Sequence, residues 1–407
     1  MNPSGNDERY LSAREAADEL GVTLPTLYAY ASRGRLRSEA VPGNPRAKRY
    51  PREDILRLKQ RKEMRSDPDV AAPRTLDWGV PVLDSAITLI EKGRLYYRGR
   101  DAIDLARSAR VEEVAALIWT GDAARAVELF SAPSPRRPTL PRQVSGLEPI
   151  ERCQVALPLV GATDLAAYDL KPAAVAATGA RILRLLASVA SGRTKRGGDL
   201  PQILQSGWAP DDPSVAEPLR CALILSADHE LNVSAFTART TASAGATPYD
   251  VVGAGLAALK GGHHGGHTRR VAALLREVGT PGGARHALAD RLRRGEPIPG
   301  FGPHPLYPSG DPRARMLLEL IAEIAPGSAA LELASAVVEA VHELLGEYPT
   351  LDVGLVTLAQ ALDLPEGSPI MLFALGRTLG WIGHAIEQYG EDRLIRPRAR
   401  YVGEHPE

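Results

Sequence analysis

From residue 78 onward apolar residues return with a helical period in one window after another, and this leaves the chain little choice of fold. LARSARVEEVAALIWTG, AAVAATGARILRLLASVAS, AEPLRCALILSADHEL, DVVGAGLAALKG, ARMLLELIAEIA, LELASAVVEAVHELLG and IMLFALGRTLGWIGHAIEQ all carry it. Alanine and leucine dominate these windows, and β-branched alternation over a strand's length is rare. Prolines and glycines separate them, with SAPSPRRPTLPRQ (131–143) and GRTKRGGDLPQ (192–202) reading as the longest loops. The expectation is an all-α body.

At 407 residues the chain is long for one core, which favours two or three domains. Acidic and basic residues balance at 49 each, so there is no global nucleic-acid or membrane signature. The balance is local: Arg33 to Lys62 holds eleven Lys/Arg against three acids. Cys153 and Cys221 stand in apolar contexts without metal-site or disulfide spacing and read as reduced, buried thiols. MNPSGNDERY lacks an apolar signal core and no apolar run approaches the roughly 20 residues of a bilayer span. A cytoplasmic protein without membrane contact is expected.

YLSAREAADELGVTLPTLYAYASRGRLR reads as two short helices around a glycine turn. Ser12 with Glu15 makes a capping box, Gly21 ends the first helix, Thr23 caps the second with Pro25 in its first turn, and Gly34 is a stop. Ala16, Leu20, Val22 and Leu27 form the shared apolar seam. A Pro/Gly turn then leads through RAKRY to an amphipathic helix. The segment resembles the winged helix-turn-helix of the MerR and excisionase type, with 23–33 as recognition helix and 44–50 as wing. On that resemblance DNA is a possible partner through residues 10–62. Thr23, Thr26, Tyr28, Tyr30, Ser32 and Arg33 then face a groove, and Arg46, Lys48 and Arg49 meet phosphates. The alternative is a protein-interaction or oligomerisation module with a solvated basic face. The organisation read is 1–65 for this module, 66–77 for a linker, and 78–407 for the body, with a small domain at roughly 265–365.

DHELNVSAFTART, starting at Asp228, and LKGGHHGGH, ending at His267, bring an acid, several imidazoles and a glycine-loosened backbone close together. That is a start for a site that moves protons around a carbonyl. With GFGPHPLYPSGDPRAR ending at Arg315, YPTLDVGL (348–355), EKGRLYYRGRDAIDLA (91–106) and GRTLGWIGHAIEQ…LIRPRARYVG (376–403), the chain resembles the citrate synthase family from about residue 78 to its end.

The resemblance implies a homodimer with large and small helical domains, condensing acetyl-CoA with oxaloacetate at sites completed by the other subunit. Asp352 matches the base that takes the methyl proton, His264 the histidine that polarises the thioester carbonyl, and His304 the donor to the ketone. Arg313, Arg377 and, across the dimer, Arg396 match carboxylate anchors, and His229 and Asn232 line the same pocket. The nucleotide of CoA falls near 296–303. No metal or redox cofactor is implied; acetyl-CoA is a substrate. His263, His264 and His267 raise a metal alternative, which Gly265 and Gly266 disfavour by breaking a regular helix.

The chain departs from the family pattern at four places. Pro303 is inserted before His304, Thr350 stands where asparagine is common, Val353 where an aromatic is, and His267 where a small residue is. The alternatives are 2-methylcitrate synthesis, another 2-oxo acid as acceptor, or a DNA-binding regulator whose body senses such ligands without turnover.

Overall fold

The computed structural model describes residues 10–32, 36–41, 44–52, 54–56, 58, 83–131, 138–140, 142–144, 146–192, 198–399 and 401–406, with the backbone alone at 44–46. The expected linker 66–77, Arg33, Gly34, the Arg46 side chain and parts of the two long loops lie outside them. The chain divides into two compact units, residues 1–84 with 397–407, and residues 85–396.

In the first unit β1 (Tyr10–Ser12), α1 (Ala13–Leu20), α2 (Leu24–Ser32), β2 (Glu39–Val41) and β3 (Asn44–Pro51) follow in order. β3 lies between β1 and β2, antiparallel to both. The N-terminus of α1 is closed reciprocally. Glu15 N–H donates to Ser12 Oγ at 3.3 Å, and Ser12 N–H to Glu15 Oε2 at 2.8 Å. Gly21, at φ 58°, ends α1 in the left-handed region that glycine enters without strain. Ala16, Ala17, Leu20, Leu27, Leu36, Tyr50 and Ile55 form a core, with Val22 packed against it. Residues 52, 54–56 and 58 are helical.

The second unit is mostly helical. It opens with a small antiparallel sheet of β4 (Thr88–Glu91), β5 (Arg94–Tyr97) and β6 (Arg100–Asp101). The helical periodicity gave no sign of this sheet, whose signal is in the turns. Lys92-Gly93 and Arg98-Gly99 each place two successive residues at positive φ, the backbone of a type I′ hairpin turn. Helices follow as α3 (Ala102–Ser108), α4 (Val111–Thr120), α5 (Ala126–Leu129), α6 (Pro149–Gly161), α7 (Pro172–Ser191), α8 (Leu200–Trp208) and α9 (Ala216–Leu225). Next come α10 (Val233–Ser243), α11 (Pro248–Leu259), α12 (His267–Val278), α13 (Ala284–Arg293), β7 (Phe301–Gly302), α14 (Pro312–Ile324) and α15 (Ala329–Leu345). β8 (Tyr348–Pro349), paired with β7, then leads into α16 (Leu351–Ala361) and α17 (Ser368–Glu391).

α17 runs through the large core, with every residue from Ile370 to Ile386 buried. A methyl group on its Gly376 would collide with the backbone oxygen of Leu223 and meet Ser226 Cβ at 2.6 Å, so glycine there sets how closely α9 approaches. α7 corrects the reading that no apolar run nears spanning length: by length and composition it could cross a membrane, yet it is two-thirds buried inside the protein. Cys153 and Cys221 are free and buried.

A second, smaller core joins Val271, Leu274, Leu275 and Val278 of α12 to Ala284 and Leu288 of α13, Val337 and Val341 of α15, and Val353 and Val356 of α16. The helix α16 serves both cores. Leu351, Leu355 and Leu358 enter the large one, while Val353 and Val356 enter the small one.

Candidate active site

α10 begins at Asn232, whose Oδ1 accepts from the N–H groups of Ser234 and Ala235 at 3.2 and 3.3 Å. Its amide nitrogen donates back to His229 and Glu230 O. The whole Asn232 side chain is thus engaged in holding the turn that carries His229. One residue into the helix, Ser234 Oγ lies 2.8 Å from His264 Nε2, 2.9 Å from Asn232 Oδ1, and accepts from Trp381 Nε1–H at 3.2 Å. Burial, with Arg377 and His267 adding to it, pushes His264 down to about 3, so its imidazole is neutral. A hydroxyl has one proton to give. Asn232 Oδ1, which can only accept, and His264 Nε2 compete for it; turned to Nε2, it leaves the ring proton of His264 on Nδ1.

His229, His304 and Tyr307 form a wall of rings. His229 Nε2 is 3.1 Å from Tyr307 Oη, and the His304 ring centroid is 5.5 Å from that of His229 and 4.7 Å from that of Tyr307. With Pro303 in the loop, the His304 ring still joins this cluster. Leu306 N–H donates to its Nδ1 at 3.2 Å, so the neutral ring carries its proton on Nε2. Burial and then Arg313 lower His304, and burial, Arg313, Arg377 and His304 hold His229 well below the ordinary range.

Two arginines are buried nearby. Arg313 is gripped in a fork by Asp311, at 2.9 and 2.8 Å. Burial opposes its charge, but Asp311 outweighs that and raises it. Arg377 donates Nε to Ser226 O at 3.0 Å, and burial lowers it to about 10, which leaves it charged at neutral pH.

Asp352 is the second residue of α16 and borders a cavity of about 230 Å³ with His263, His264, His267, Phe301 and Phe373. Its Oδ2 accepts from Thr350 Oγ1–H at 3.2 Å. Its Oδ1 is shut off from solvent without a hydrogen-bond partner. Burial pushes the carboxyl up to about 6, with Thr350 and Arg313 pulling the other way. A helix N-terminus normally favours a carboxylate; here desolvation wins. Among the described residues no three His, Cys, Asp or Glu side chains make a metal-binding group.

Across residues 75–398 the chain matches the citrate synthase C-terminal domain. It belongs to the citrate synthase family. A citrate synthase of Haloferax volcanii is 32% identical over 360 residues, covering 80% of this chain and 94% of the relative. A 2-methylcitrate synthase of Mycobacterium tuberculosis is 30% identical, covering 80% and 89%. The crystal structure of citrate synthase from Thermotoga maritima superimposes with a TM-score of 0.67 at 25% identity, covering 81% and 95%. Residues 10–63 match a helix-turn-helix domain, an addition in front of the citrate synthase body.

Arg396 is exposed, and among the described residues it makes no hydrogen bond or ion pair with the cluster. Motif reading missed the buried ionic chain behind the site. Asp228 Oδ2 accepts from Thr88 Oγ1–H at 2.6 Å, and Oδ1 pairs with His384 Nε2 at 3.3 Å. His384 Nδ1 faces Glu387 Oε2 at 3.7 Å, and Glu387 in turn pairs with the buried Arg239 at 3.3 Å. Burial opposes the charge on His384, but Asp228 and Glu387 outweigh it and raise the ring to about 9. The readable signal was His384 and Glu387 one helical turn apart. Asp228, singled out in sequence as an acid near the imidazoles, is distant from His384 along the chain, and nothing local announces their pairing.

In the first unit Thr26 Oγ1 is 2.9 Å from Thr23 Oγ1, and Tyr28 and Lys48 are exposed. Arg49 is different. Its guanidinium lies 3.9 Å over the Tyr10 ring and 3.1 Å from Glu39, so its charge is already paired within the unit.

Proposed function

We propose that the chain condenses acetyl-CoA with oxaloacetate to citrate and CoA, with Asp352, His264 and His304 as catalytic residues. The observation that carries this is Asp352 Oδ1, an unpartnered buried oxygen in the same cavity as a neutral His264. Asp352 takes a proton from the thioester methyl group, and His264, with the Ser234 hydroxyl turned to Nε2, donates Nδ1–H to the enolate oxygen that forms. The enol carbon attacks the ketone carbon of oxaloacetate while His304 donates Nε2–H to the ketone oxygen. Water then cleaves the thioester. Neutral imidazoles suit these steps, since each gives a hydrogen bond without a charge that would bind water strongly. In the condensation each proton is handled by a side chain, and in the hydrolysis water adds to the thioester carbon as the C–S bond breaks and its proton goes to the departing thiol, so neither step calls for a metal or redox cofactor.

Arg313 and Arg377 anchor the carboxylates, and His229, braced by Asn232 and Tyr307, lines the pocket. Exposed Arg396 fits a homodimer in which it completes the partner's site. The test is thiol release from acetyl-CoA with and without oxaloacetate; release that ignores oxaloacetate sinks the condensation. Propionyl-CoA and other 2-oxo acids in the same assay separate citrate from 2-methylcitrate synthesis or another acceptor.

The N-terminal unit supports a further role in binding DNA, through Tyr28 and Thr26 on α2 and Lys48 on β3. Salt-sensitive retention of a DNA duplex is expected. Its absence leaves an interaction module.

A further inference from the structure

We propose that Thr350 is a positioning residue for Asp352, its hydroxyl tying Oδ2 and leaving Oδ1 as the oxygen that accepts the proton. This rests on the reading of Asp352 as the base. Thr350 occupies the N-cap of α16, where a threonine hydroxyl ordinarily accepts from a backbone N–H of the first turn. Here it makes no such cap and donates instead to the carboxylate two residues on. The backbone fixes its aim. Thr350 N–H donates to Gly300 O at 2.9 Å, directly beside the β7–β8 pairing of Phe301 with Pro349. A methyl group on Gly300, which sits at φ 84°, would meet Val271 and Val353 at 2.6 and 2.7 Å, so the strand cannot move in or out without disturbing the second core. The consequence is two unlike oxygens on one carboxylate.

Other charged or titratable groups face Asp352: His263 and His264 from the turn between α11 and α12, His267 at the start of α12, and Asp311 and Arg313 at the start of α14. Gly300, Phe301 and Phe373 carry no charge. Thr350 therefore supplies the one side-chain hydrogen bond to the carboxylate among the described residues.

The test is kcat against pH for Thr350→Val and Thr350→Ser. A bond to the ionised form lowers its proton affinity, so its loss moves the acid limb up by about one pH unit, tenfold in proton affinity. KM for both substrates stays, and serine restores the limb. An unchanged limb in Thr350→Val overturns the inference. Independently of turnover, ¹³C NMR of carboxyl-labelled aspartate, with Asp352 identified by its loss in Asp352→Asn, follows the same titration. A wild-type chain without oxaloacetate-dependent thiol release defeats the functional reading, while the NMR titration still decides Thr350. If Thr350→Val titrates like wild type there, the positioning role is wrong.

Discussion

A carboxylate held where water cannot reach it weakens the fold that holds it. Asp352 stands at about 6 in the folded protein against 3.8 for the free side chain. For an acid raised on folding, the sign runs as a penalty. Below about pH 3 the group is protonated in both states and costs nothing. The penalty grows as pH rises from there through 6, and is complete above about 7. Each pH unit between the two values is worth about 1.4 kcal/mol, so the full penalty is about 3 kcal/mol. Asp352→Asn keeps the shape, still receives the Thr350 hydroxyl, and has nothing to ionise. Its condensation rate should fall by several orders of magnitude while the protein becomes more stable. Scanning calorimetry at a series of pH values measures this. At pH 8 the variant should melt about 5 °C above wild type, and the gap should close towards about pH 3. A gap that does not change with pH, or a variant that melts below wild type at pH 8, refutes desolvation as the cause.

Asp311→Asn strips Arg313 of its fork and leaves a buried guanidinium uncompensated, so stability in denaturant should drop by about 3 kcal/mol; a loss confined to activity would contradict this. Gly376→Ala drives a methyl into the Leu223 carbonyl and should cost about 2 kcal/mol by the same measurement, as overpacking does. Arg49→Ala should lower the melting of the N-terminal unit, whereas Lys48→Ala should leave it in place; if the two behave alike, the Glu39 and Tyr10 contacts contribute nothing. Mixing Arg396→Ala with Asp352→Asn subunits should restore condensation that neither has alone, and no recovery after verified exchange removes the shared site.

Local signals were the readable ones. The Ser12–Glu15 box, Gly21 and the helical windows depend on residues within a turn or two of one another, and each has its counterpart in the structure. The hairpin at 88–101 was missed because its strands are short, and only the paired positive-φ turns give it away. Site residues were reached through motif resemblance, since periodicity says nothing of which side chain meets which. Ser234 and Trp381 behind His264, Tyr307 between two imidazoles, and the Asp228–His384–Glu387–Arg239 chain arise from tertiary packing. Thr350 could be seen as a departure from pattern but not understood: its hydroxyl has two possible uses at an N-cap, and only coordinates tell which one it takes. The pairing of Arg49 with Glu39 was hidden for the same reason, a surface charge in sequence being a paired one in space.

The double allegiance of α16 limits how this protein can change over time. With leucines at 351, 355 and 358 in one interior and valines at 353 and 356 in the other, neither interior can be resized without tilting the segment that carries Asp352. Substitutions on α12 or α15 therefore reach the Asp352 carboxylate through one rigid turn of backbone. Lineages that repack either side must compensate on the other or lose turnover, so the two interiors should drift together, and selection for a new acyl group or acceptor has routes to it well outside the pocket.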